Sequence, residues 1–348
     1  PITAAALIPK LAAVVGEHCI VTDVASVKST IMDVVNEQPL SFQQRFVPGH
    51  PIAGSEQSEF QSSTPKLFQD RNVILIPHTK INPKALAVVN ELWRELGANI
   101  LGMEIAKHDE VLAMTSHLPH LLAYTIVDVI VGQQQSEDIF RYAAGGFADF
   151  SRLASSNAKM WSDIFVTNSD AMITTLDSYI ERLQEFKKYI ANKDHSLLMR
   201  KLSNAKDVRD DFLQKYFGNK VITESTETKI SFTLVPGGLV KGDIRVPGDK
   251  SISHRAIILS SIADGVTKVS GFLEGEDALN TLAAFQEMGV TIIGPSNGEL
   301  TIYGVGKDGL KAPRVPLYMG NSGTAMRLLC GLLACLLYTS DAADDTLC

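Results

Sequence analysis

Short apolar segments alternate with helical segments along the first hundred residues, and this alternation restricts the possible folds more than any other feature. Three apolar segments predict strands and three intervening segments predict helices: strands at residues 18–23, 71–77 and 98–101, and helices at residues 3–15, 26–36 and 83–97. Ser26 has the short polar side chain of a helix N-cap, so we place the start of the second helix there. Strands and helices that alternate in such short units are typical of a doubly wound parallel α/β sheet.

Two loops in this region follow the ends of predicted strands: Asp-Val-Ala-Ser-Val-Lys at residues 23–28 and Gly-His-Pro-Ile-Ala-Gly-Ser-Glu at residues 49–56. Ligands of parallel α/β sheets bind at the carboxyl ends of the strands, so we expect both loops to face one crevice. The ordinary pKa of His50 suits proton transfer, although a solvated histidine on a structural turn explains it equally well here. No G-x-G-x-x-G sequence follows a strand here, so a dinucleotide domain would lack its phosphate-binding first half.

From about Glu104 the pattern changes to successive helices. Residues 104–131 have apolar side chains at helical spacing, interrupted by Ser-His-Leu-Pro-His at residues 116–120. A glycine-led turn is predicted at residues 145–152, and a helix that contains Trp161 at residues 159–167. A long amphipathic helix follows, and a stripe of this kind usually packs on a partner helix. Its apolar residues are Leu176, Ile180, Leu183, Phe186 and Ile190.

The polar residues 219–229 show no periodicity and are predicted to be a linker. Strands are predicted at residues 230–235 and 239–246, and two glycine-led turns follow, Pro-Gly-Asp-Lys-Ser-Ile-Ser-His-Arg at 247–255 and Gly-Asn-Ser-Gly-Thr-Ala-Met-Arg at 320–327. Each turn opens a helix and carries cations, a combination that suits phosphate or carboxylate. Residues 335–348 fit no domain end, and we expect them to be a non-native tail.

The composition narrows the class of partner and the compartment. A net charge of −7 gives no reason to expect nucleic acid or an anionic membrane as a partner. The four cysteines form no C-x-x-C pair, which fits a reducing cytoplasm. The longest apolar runs, residues 121–131 and 328–338, are too short to span a bilayer. The chain opens without a methionine or a signal peptide, so we expect a fragment that begins within a domain.

The two loops of the first region, together with Ser-His-Leu-Pro-His and Gly-Gly-Phe-Ala-Asp-Phe-Ser-Arg, resemble the prephenate dehydrogenase family over residues 1–190. The resemblance implies NAD- or NADP-dependent oxidative decarboxylation of prephenate to 4-hydroxyphenylpyruvate by a homodimer. It also implies the roles of site residues: His50 accepts the proton of the ring hydroxyl, and Ser26 hydrogen-bonds His50. Asp23 and Ser26 contact the cofactor, and Arg152 binds a substrate carboxylate. His117 and His120 line the substrate pocket, Glu56 modulates access to it, and Trp161 packs nearby.

Other interpretations of these residues stay open. His117 and His120 could be a metal pair, but no third ligand follows at a convincing spacing, and we predict no metal. Both could also be packed histidines, Trp161 could belong to the core, and Arg152 could form a surface ion pair. Ser26 can cap a helix and still contact a ligand. Arogenate could replace prephenate, because nothing in these residues distinguishes the two substrates.

After the linker, the two glycine-led turns resemble those of the EPSP synthase (3-phosphoshikimate 1-carboxyvinyltransferase) family over residues 230–334. The resemblance implies transfer of the enolpyruvyl group of phosphoenolpyruvate to shikimate 3-phosphate, without metal or organic cofactor. It places catalytic Lys250 at both substrates, Ser251 and Arg255 at shikimate 3-phosphate, and Asn321, Gly323 and Thr324 at phosphoenolpyruvate. A capped surface helix is the alternative for the first turn, and Arg327 could equally serve the structure.

The whole chain therefore resembles bacterial fusions of the two activities, with both sites expected to be incomplete. We predict the C-terminal part of a Rossmann-like parallel sheet at residues 1–103 and an all-α dimerisation and substrate domain at 104–218. The linker at 219–229 leads to the first part of an EPSP-synthase-type α/β domain at 230–334, followed by the tail at 335–348. The alternative from another class is a catalytically incomplete helical dimerisation scaffold.

Overall fold

A computed structural model of the chain describes residues 1–54, 64–133, 136–216, 242–243 and 246–335. By compactness the chain divides into two units, Pro1–Ile173 together with Val246–Cys348, and Thr174–Arg245. The predicted linker at 219–229 lies outside the described residues, as does nearly all of the predicted strands at 230–246 and of the tail.

Residues 1–102 form alternating short strands and helices, as the pattern predicts. The elements are α1 (Ile2–Val14), β1 (Val21–Thr22), α2 (Ser29–Asn36), α3 (Leu40–Gln43), β2 (Phe46–Val47), β3 (Gly49–Pro51), β4 (Asn72–Leu75), α4 (Pro83–Glu95) and β5 (Asn99–Gly102). β1 pairs with β2 and β4 with β5 in parallel, whereas β3 runs antiparallel to β4. The α/β class is confirmed, with one antiparallel pair where a fully parallel sheet was predicted.

The start of α2 differs from its prediction. The helix begins at Ser29, and its N-cap residue is Lys28, so Ser26 is not the cap. The carboxylate of Asp109 accepts hydrogen bonds from the backbone N–H groups of Lys28 and Ser29, at 3.0 and 2.8 Å, and from the Ser29 hydroxyl. A side chain from a distant helix thus satisfies the free amides at this terminus, the task that a local cap usually performs.

Helices follow one another from residue 105 to residue 167: α5 (Ile105–Leu112), a π-helical segment (Ala113–His117), α6 (Leu118–Val131), α7 (Ser136–Arg141), α8 (Gly145–Ser151), a 3-10 segment (Arg152–Ser155) and α9 (Ala158–Thr167). The interruption predicted at residues 116–120 is therefore the end of the π segment, and the helix continues through Pro119. The turn predicted at residues 145–152 is wrong, because those residues form α8 and the start of the 3-10 segment.

The continuous helical run Ile105–Val131 is longer than the apolar run at 121–131 suggests. By length and composition alone it could cross a membrane, and 17% of its most apolar window is buried. A single helix of this kind is weak support for a membrane span, because an apolar helix that packs against protein passes the same test. Its exposed apolar side chains include Ile126, Val129 and Val131.

The second unit contains most of α10 (Ser169–Ala191) and all of α11 (His195–Tyr216), which are joined by a three-residue turn. Of the predicted apolar stripe, Ile180, Leu183 and Ile190 are exposed. α11 also exposes large apolar side chains, among them Met199, Leu202 and Phe212. The single chain thus leaves apolar helix surface uncovered here.

Residues 250–333 form a second α/β segment with its own core. Its elements are α12 (Lys250–Ser261), β6 (Asp264–Val269), α13 (Glu276–Glu287), β7 (Thr291–Ser296), β8 (Glu299–Val305) and α14 (Gly323–Leu333). β8 pairs antiparallel with both β6 and β7. Ile257, Phe285 and Ile302 are among the fully buried residues of the core beneath this sheet.

The two α/β segments share one six-stranded sheet, in the order β3-β4-β5-β7-β8-β6. β5 and β7 pair in parallel where Gly102 lies opposite Ile293. A buried hydrogen bond of 2.8 Å from Asn90 Nδ2 to Thr291 Oγ1 also joins the two segments. The sheet therefore runs through both α/β parts of the first compact unit.

Candidate active sites

The two loops predicted to share a crevice are held together by Lys28. Its Nζ lies 2.5 Å from Asp23 Oδ2 and donates to the carbonyl of Gly49 at 2.5 Å. Asp23 Oδ1 also accepts the backbone N–H of Gly49 at 3.3 Å. Lys28 has no exposed surface, and burial lowers its pKa against the raising influence of Asp23. The buried ion pair fixes the strand ends on which His50 is mounted.

His50 lies in the middle of β3, opposite Ile74 of β4, and is 8% exposed. Its Nδ1 lies 2.8 Å from Nε2 of His108 in α5. No hydrogen bond joins His50 to Ser26 among the described residues, so His108 occupies the position that the sequence assigned to Ser26. Burial, followed by the charges of His108 and Lys28, lowers the pKa of His50 to about 3. His50 is therefore neutral at neutral pH and able to accept a proton.

His108 and Asp109 extend this contact inward, and neither was identified from the sequence. His108 Nδ1 lies 2.7 Å from Asp109 Oδ1, and both residues are buried. Burial alone would raise the pKa of Asp109, but hydrogen bonds from His108 and Ser29 and two backbone N–H groups lower it to about 2. Asp109 is thus a buried anion at neutral pH. A histidine followed by an aspartate within a helix is no recognised motif, so no local sequence signal marks this pair.

His117 and His120 both contact Trp161, which is 6% exposed. The ring of His120 stacks on Trp161 with centroids 3.7 Å apart, and the His117 ring meets it edge-on at 6.0 Å. His117 is 1% exposed and lies 3.2 Å from Asn168 Nδ2 through its Nδ1. Burial lowers the pKa of His117 to about 4. His117 is therefore a packed neutral histidine, and His120, which is half-buried, is the more accessible of the two.

The remaining dehydrogenase residues lie on helical or undescribed parts of the chain. Arg152 is the first residue of the 3-10 segment and is exposed. Glu56 lies outside the described residues.

In the described part of the chain, no three His, Cys, Asp or Glu side chains are grouped closely enough to hold a metal ion.

The strand end that carries Asp23 also fits a bound polar group. Thr22 Oγ1 is buried there without a hydrogen-bond partner among the described residues. A ligand atom that paired with it would satisfy a group whose burial is otherwise costly. The carboxylate of Asp23 is occupied by Lys28, Gly49 and the backbone N–H of Ala25. Asp23 thus supports the loop internally, and Ser26, which is half-buried, remains as the loop's hydroxyl.

A second cluster forms at the start of α12. Asp249 caps the helix by accepting the backbone N–H of Ile252 at 2.7 Å. Lys250 pairs with Asp277 of α13, a partner that the sequence did not reveal. Ser251 and Arg255 are exposed one turn apart, and Arg255 Nη1 donates to the Ser251 carbonyl at 3.0 Å. A Cβ at Gly248 would lie 1.9 Å from the carbonyl oxygen of Gly271, so this turn requires glycine.

The second glycine-led turn is tied to the first by a buried histidine. His254 of α12 lies 2.8 Å from Thr281 Oγ1 through Nδ1 and 3.4 Å from Ser322 Oγ through Nε2. Ser322 caps α14 by accepting the N–H of Ala325 at 3.2 Å. Asn321 and Gly323 are exposed, and Thr324 is half-buried. The Arg327 guanidinium lies within 4 Å of a Cβ built on Gly323. Cations and a helix N-terminus are thus brought together, as anion binding requires.

A glycine-rich segment further along the chain is not a dinucleotide fingerprint. Residues 304–309, Gly-Val-Gly-Lys-Asp-Gly, have the G-x-G-x-x-G spacing and follow β8. No helix begins after them until Gly323, and β8 is antiparallel to both of its neighbours. The fingerprint works through a parallel strand that leads directly into a helix N-terminus.

Three families of domain match successive parts of the chain. Residues 1–102 match the prephenate dehydrogenase nucleotide-binding domain, and residues 104–204 match the prephenate dehydrogenase dimerization domain. Residues 235–340 match EPSP synthase (3-phosphoshikimate 1-carboxyvinyltransferase).

Individual relatives agree with this division. The cyclohexadienyl dehydrogenase of Zymomonas mobilis is 34% identical over 60% of this chain and 70% of the relative. The crystal structure of prephenate dehydrogenase from A. aeolicus in complex with hydroxyphenyl propionate and NAD+ has a TM-score of 0.56 and 34% identity, over 60% of this chain and 73% of that one. The 3-phosphoshikimate 1-carboxyvinyltransferase of Hydrogenovibrio crunogenus is 68% identical over 30% of this chain. The chain spans about a quarter of the length of the curated synthases that it matches.

Proposed function

The chain belongs to the prephenate dehydrogenase family and continues into a segment of the EPSP synthase family, and from this premise we propose that the whole protein is a bifunctional enzyme of aromatic biosynthesis. Its first activity is the oxidative decarboxylation of prephenate to 4-hydroxyphenylpyruvate. The observation that carries this proposal is His50, a buried neutral histidine within β3, whose neighbour Gly49 contacts Lys28 of the residue 23–28 loop. We propose the boundaries 1–103, 104–218 and 230–334 for the three domains.

In this reaction His50 accepts the proton of the ring hydroxyl while hydride leaves the same carbon, and loss of carbon dioxide makes the ring aromatic. A neutral imidazole is the form required for that step. Arg152 offers a fixed guanidinium for a substrate carboxylate. His120, stacked on Trp161, would line the ring-binding side of the pocket, and we retain Glu56 and His117 as residues near it.

NAD is the proposed hydride acceptor of the dehydrogenase. It would supply the oxidising equivalent, and NADP is the alternative cofactor. Ser26 and the unpaired Thr22 hydroxyl would contact its nicotinamide end, while Asp23 holds their loop through Lys28. A relative bound to NAD+ supports this choice.

The substrate of the dehydrogenase is proposed to be prephenate, with arogenate as the second candidate. Arogenate stays a candidate because one of the relatives is named a cyclohexadienyl dehydrogenase. Comparing turnover of prephenate and arogenate by the whole protein separates them. A larger kcat/KM for arogenate would overturn the choice of prephenate.

Replacing His50 by Asn in the whole protein tests the first activity. We expect prephenate-dependent formation of NADH to fall by about 10²- to 10⁴-fold, the usual contribution of a general base. His18→Asn is the matched control, because His18 is exposed and precedes β1, at the opposite end of that strand from Asp23. Full turnover by His50→Asn would refute the assignment. Absence of turnover in the unmodified protein would favour the helical scaffold instead.

The second proposed activity is enolpyruvyl transfer from phosphoenolpyruvate to shikimate 3-phosphate. It is supported by two turns that carry cations and open helices, joined by His254. Both substrates are polyanions, which explains Lys250, Ser251 and Arg255 at one helix start and Asn321, Gly323 and Thr324 at the other. No metal or organic cofactor is proposed for this step.

Lys250→Ala in the whole protein tests the second activity. We expect phosphate release from the two substrates to fall at least tenfold, because the ammonium group that would contact both anions is lost. Lys307→Ala, an exposed lysine after β8, is the control. Unchanged phosphate release by Lys250→Ala would contradict the assignment.

The helical region is proposed to hold two copies together in the cytoplasm. It matches a dimerization domain, and Ile180, Leu183 and Ile190 are exposed in the single chain. An apolar surface of this kind is stable in water when another chain covers it. A monomeric mass in light scattering would contradict the proposal.

A further inference from the structure

Three buried side chains form a continuous line inward from β3. His50 Nδ1 lies 2.8 Å from His108 Nε2, and His108 Nδ1 lies 2.7 Å from Asp109 Oδ1. Their exposed fractions are 8%, 0% and 4%. Each ring nitrogen in the line therefore has one defined partner, and the positions of the protons can be deduced from the end of the line.

Asp109 fixes the direction of these hydrogen bonds because an ionised carboxylate only accepts them. Asp109 accepts from the backbone N–H groups of Lys28 and Ser29 and from the Ser29 hydroxyl, so it is surrounded by donors. The proton between Asp109 and His108 must then be carried by His108 Nδ1. With His108 as a neutral imidazole, its other nitrogen is an acceptor, so His108 Nε2 accepts from His50 Nδ1.

We propose that Asp109 and His108 are positioning residues that fix the proton of His50 on Nδ1 and keep its Nε2 as the acceptor. This inference rests on the proposed function, in which His50 takes a proton from the substrate hydroxyl. The reverse arrangement, with the proton on Nε2, would present a donor where the reaction needs an acceptor. After the transfer His50 is a cation, and the negative charge of Asp109 stabilises it through the same two contacts.

Asp109 also anchors the start of α2, so the experiment must separate positioning from stability. Its two oxygens divide these tasks: Oδ1 receives His108 Nδ1 and the N–H of Lys28, whereas Oδ2 receives both groups of Ser29. Ser29→Ala therefore removes a contact to the carboxylate without touching the line to His50. Asp109→Asn keeps the shape but can turn an amide N–H₂ group toward His108 Nδ1.

The experiment is long-range ¹H–¹⁵N correlation NMR of this chain labelled with ¹⁵N-histidine, with the His50 signals assigned by their loss in His50→Asn. We expect the unmodified chain and Ser29→Ala to show His50 protonated on Nδ1. In Asp109→Asn the proton of His50 should move to Nε2, because the amide donates to His108 and reverses both rings. His108→Leu should leave a mixture, whereas His108→Gln, whose carbonyl can accept, should restore the Nδ1 form.

The NMR result needs no substrate and therefore stands apart from the activity. His50 protonated on Nε2 in the unmodified chain would overturn the inference, as would an unchanged Nδ1 form in Asp109→Asn with a native circular dichroism spectrum. In the whole protein, Asp109→Asn should lower kcat by about 10²- to 10⁴-fold, with a smaller change in KM. If the tautomer shifts as expected but His50→Asn keeps full turnover, the proposed function fails and the positioning of His50 still holds.

Discussion

Two deeply buried histidines make the stability of this fold depend on pH. Burial is the largest cause that lowers the pKa of His50 to about 3 and of His117 to about 4, from an ordinary value of 6.5. Below pH 6.5 the unfolded chain binds protons at both positions while the native chain does not. The free energy of unfolding is therefore greatest above pH 6.5 and falls as the pH drops toward 4.

We expect the two histidines together to lower the free energy of unfolding by up to about 2.7 kcal/mol per pH unit in that window, since each proton contributes about 1.4 kcal/mol. His78, His120 and His254 are shifted in the same direction and add to the slope. Urea unfolding at several pH values between 4.5 and 7 measures this slope of the free energy of unfolding against pH. His117→Asn should reduce the slope by about one proton. An equal slope in His117→Asn would contradict the buried neutral state of His117.

The residues of the site were predictable where they follow local rules and were missed where partners come from far along the chain. His50 was found because it follows Gly49 in a loop predicted after a strand, although the structure places it within β3. Asp109 was missed because the start of α2, which it caps, lies some 80 residues earlier in the chain. For the same reason Ser26 was given a capping role that the fold assigns to Asp109.

At the scale of elements, the π segment Ala113–His117 connects α5 to α6 within one helical run. The contacts of Asp109 with α2 hold α5 in place. The stacking of His120 on Trp161 holds α6 in place. A π segment contains one residue more per turn than an α-helix, and such insertions are often found at functional sites. This segment lets one helical run satisfy both sets of contacts.

Deleting Thr115 should convert the π segment to α-helix without rotating α6 relative to α5, because a π turn holds one residue more for the same rotation. The helical signal in circular dichroism and the fluorescence of Trp161 should both stay, because His120 still stacks on Trp161. Thr115→Ala is the control, since it removes only the 2.7 Å bond from Oγ1 to the Val111 carbonyl. A change in Trp161 fluorescence in the deletion variant that Thr115→Ala does not show would contradict the role given to the π segment.

Element types were predicted well because apolar periodicity is a local signal, as for α4. The missed features are those in which local and tertiary preferences compete. Pro119 suggested a break, yet the helical run continues through it, directly after the π segment. The two glycines at residues 145 and 146 suggested a turn but stand at the start of α8, where glycine is tolerated.

At the scale of the whole molecule, the sheet joins segments of two enzyme families. The pairing of β5 with β7 connects residues about 190 positions apart and has no signature in either strand. Several side chains strengthen the seam: Arg94 is buried and donates to the carbonyl of Ala312 at 3.4 Å, and Arg314 donates to the carbonyl of Arg94 at 3.1 Å. The seam therefore predicts that the two α/β segments unfold together.

Thr291→Val tests this coupling with little change of side-chain volume. It removes the partner of Asn90, whose amide is buried and whose Oδ1 already lacks a partner among the described residues, so we expect a loss of about 1–3 kcal/mol in the free energy of unfolding. Hydrogen exchange should then rise in α4 and β4 as well as in β7 and β8. Lys311→Ala, which breaks an exposed pair with Glu91 across the same seam, should change stability by less than about 1 kcal/mol. A shared sheet transmits the loss of a buried contact to the strands on both sides. Faster exchange confined to β7 and β8 would therefore mean that the two segments fold independently.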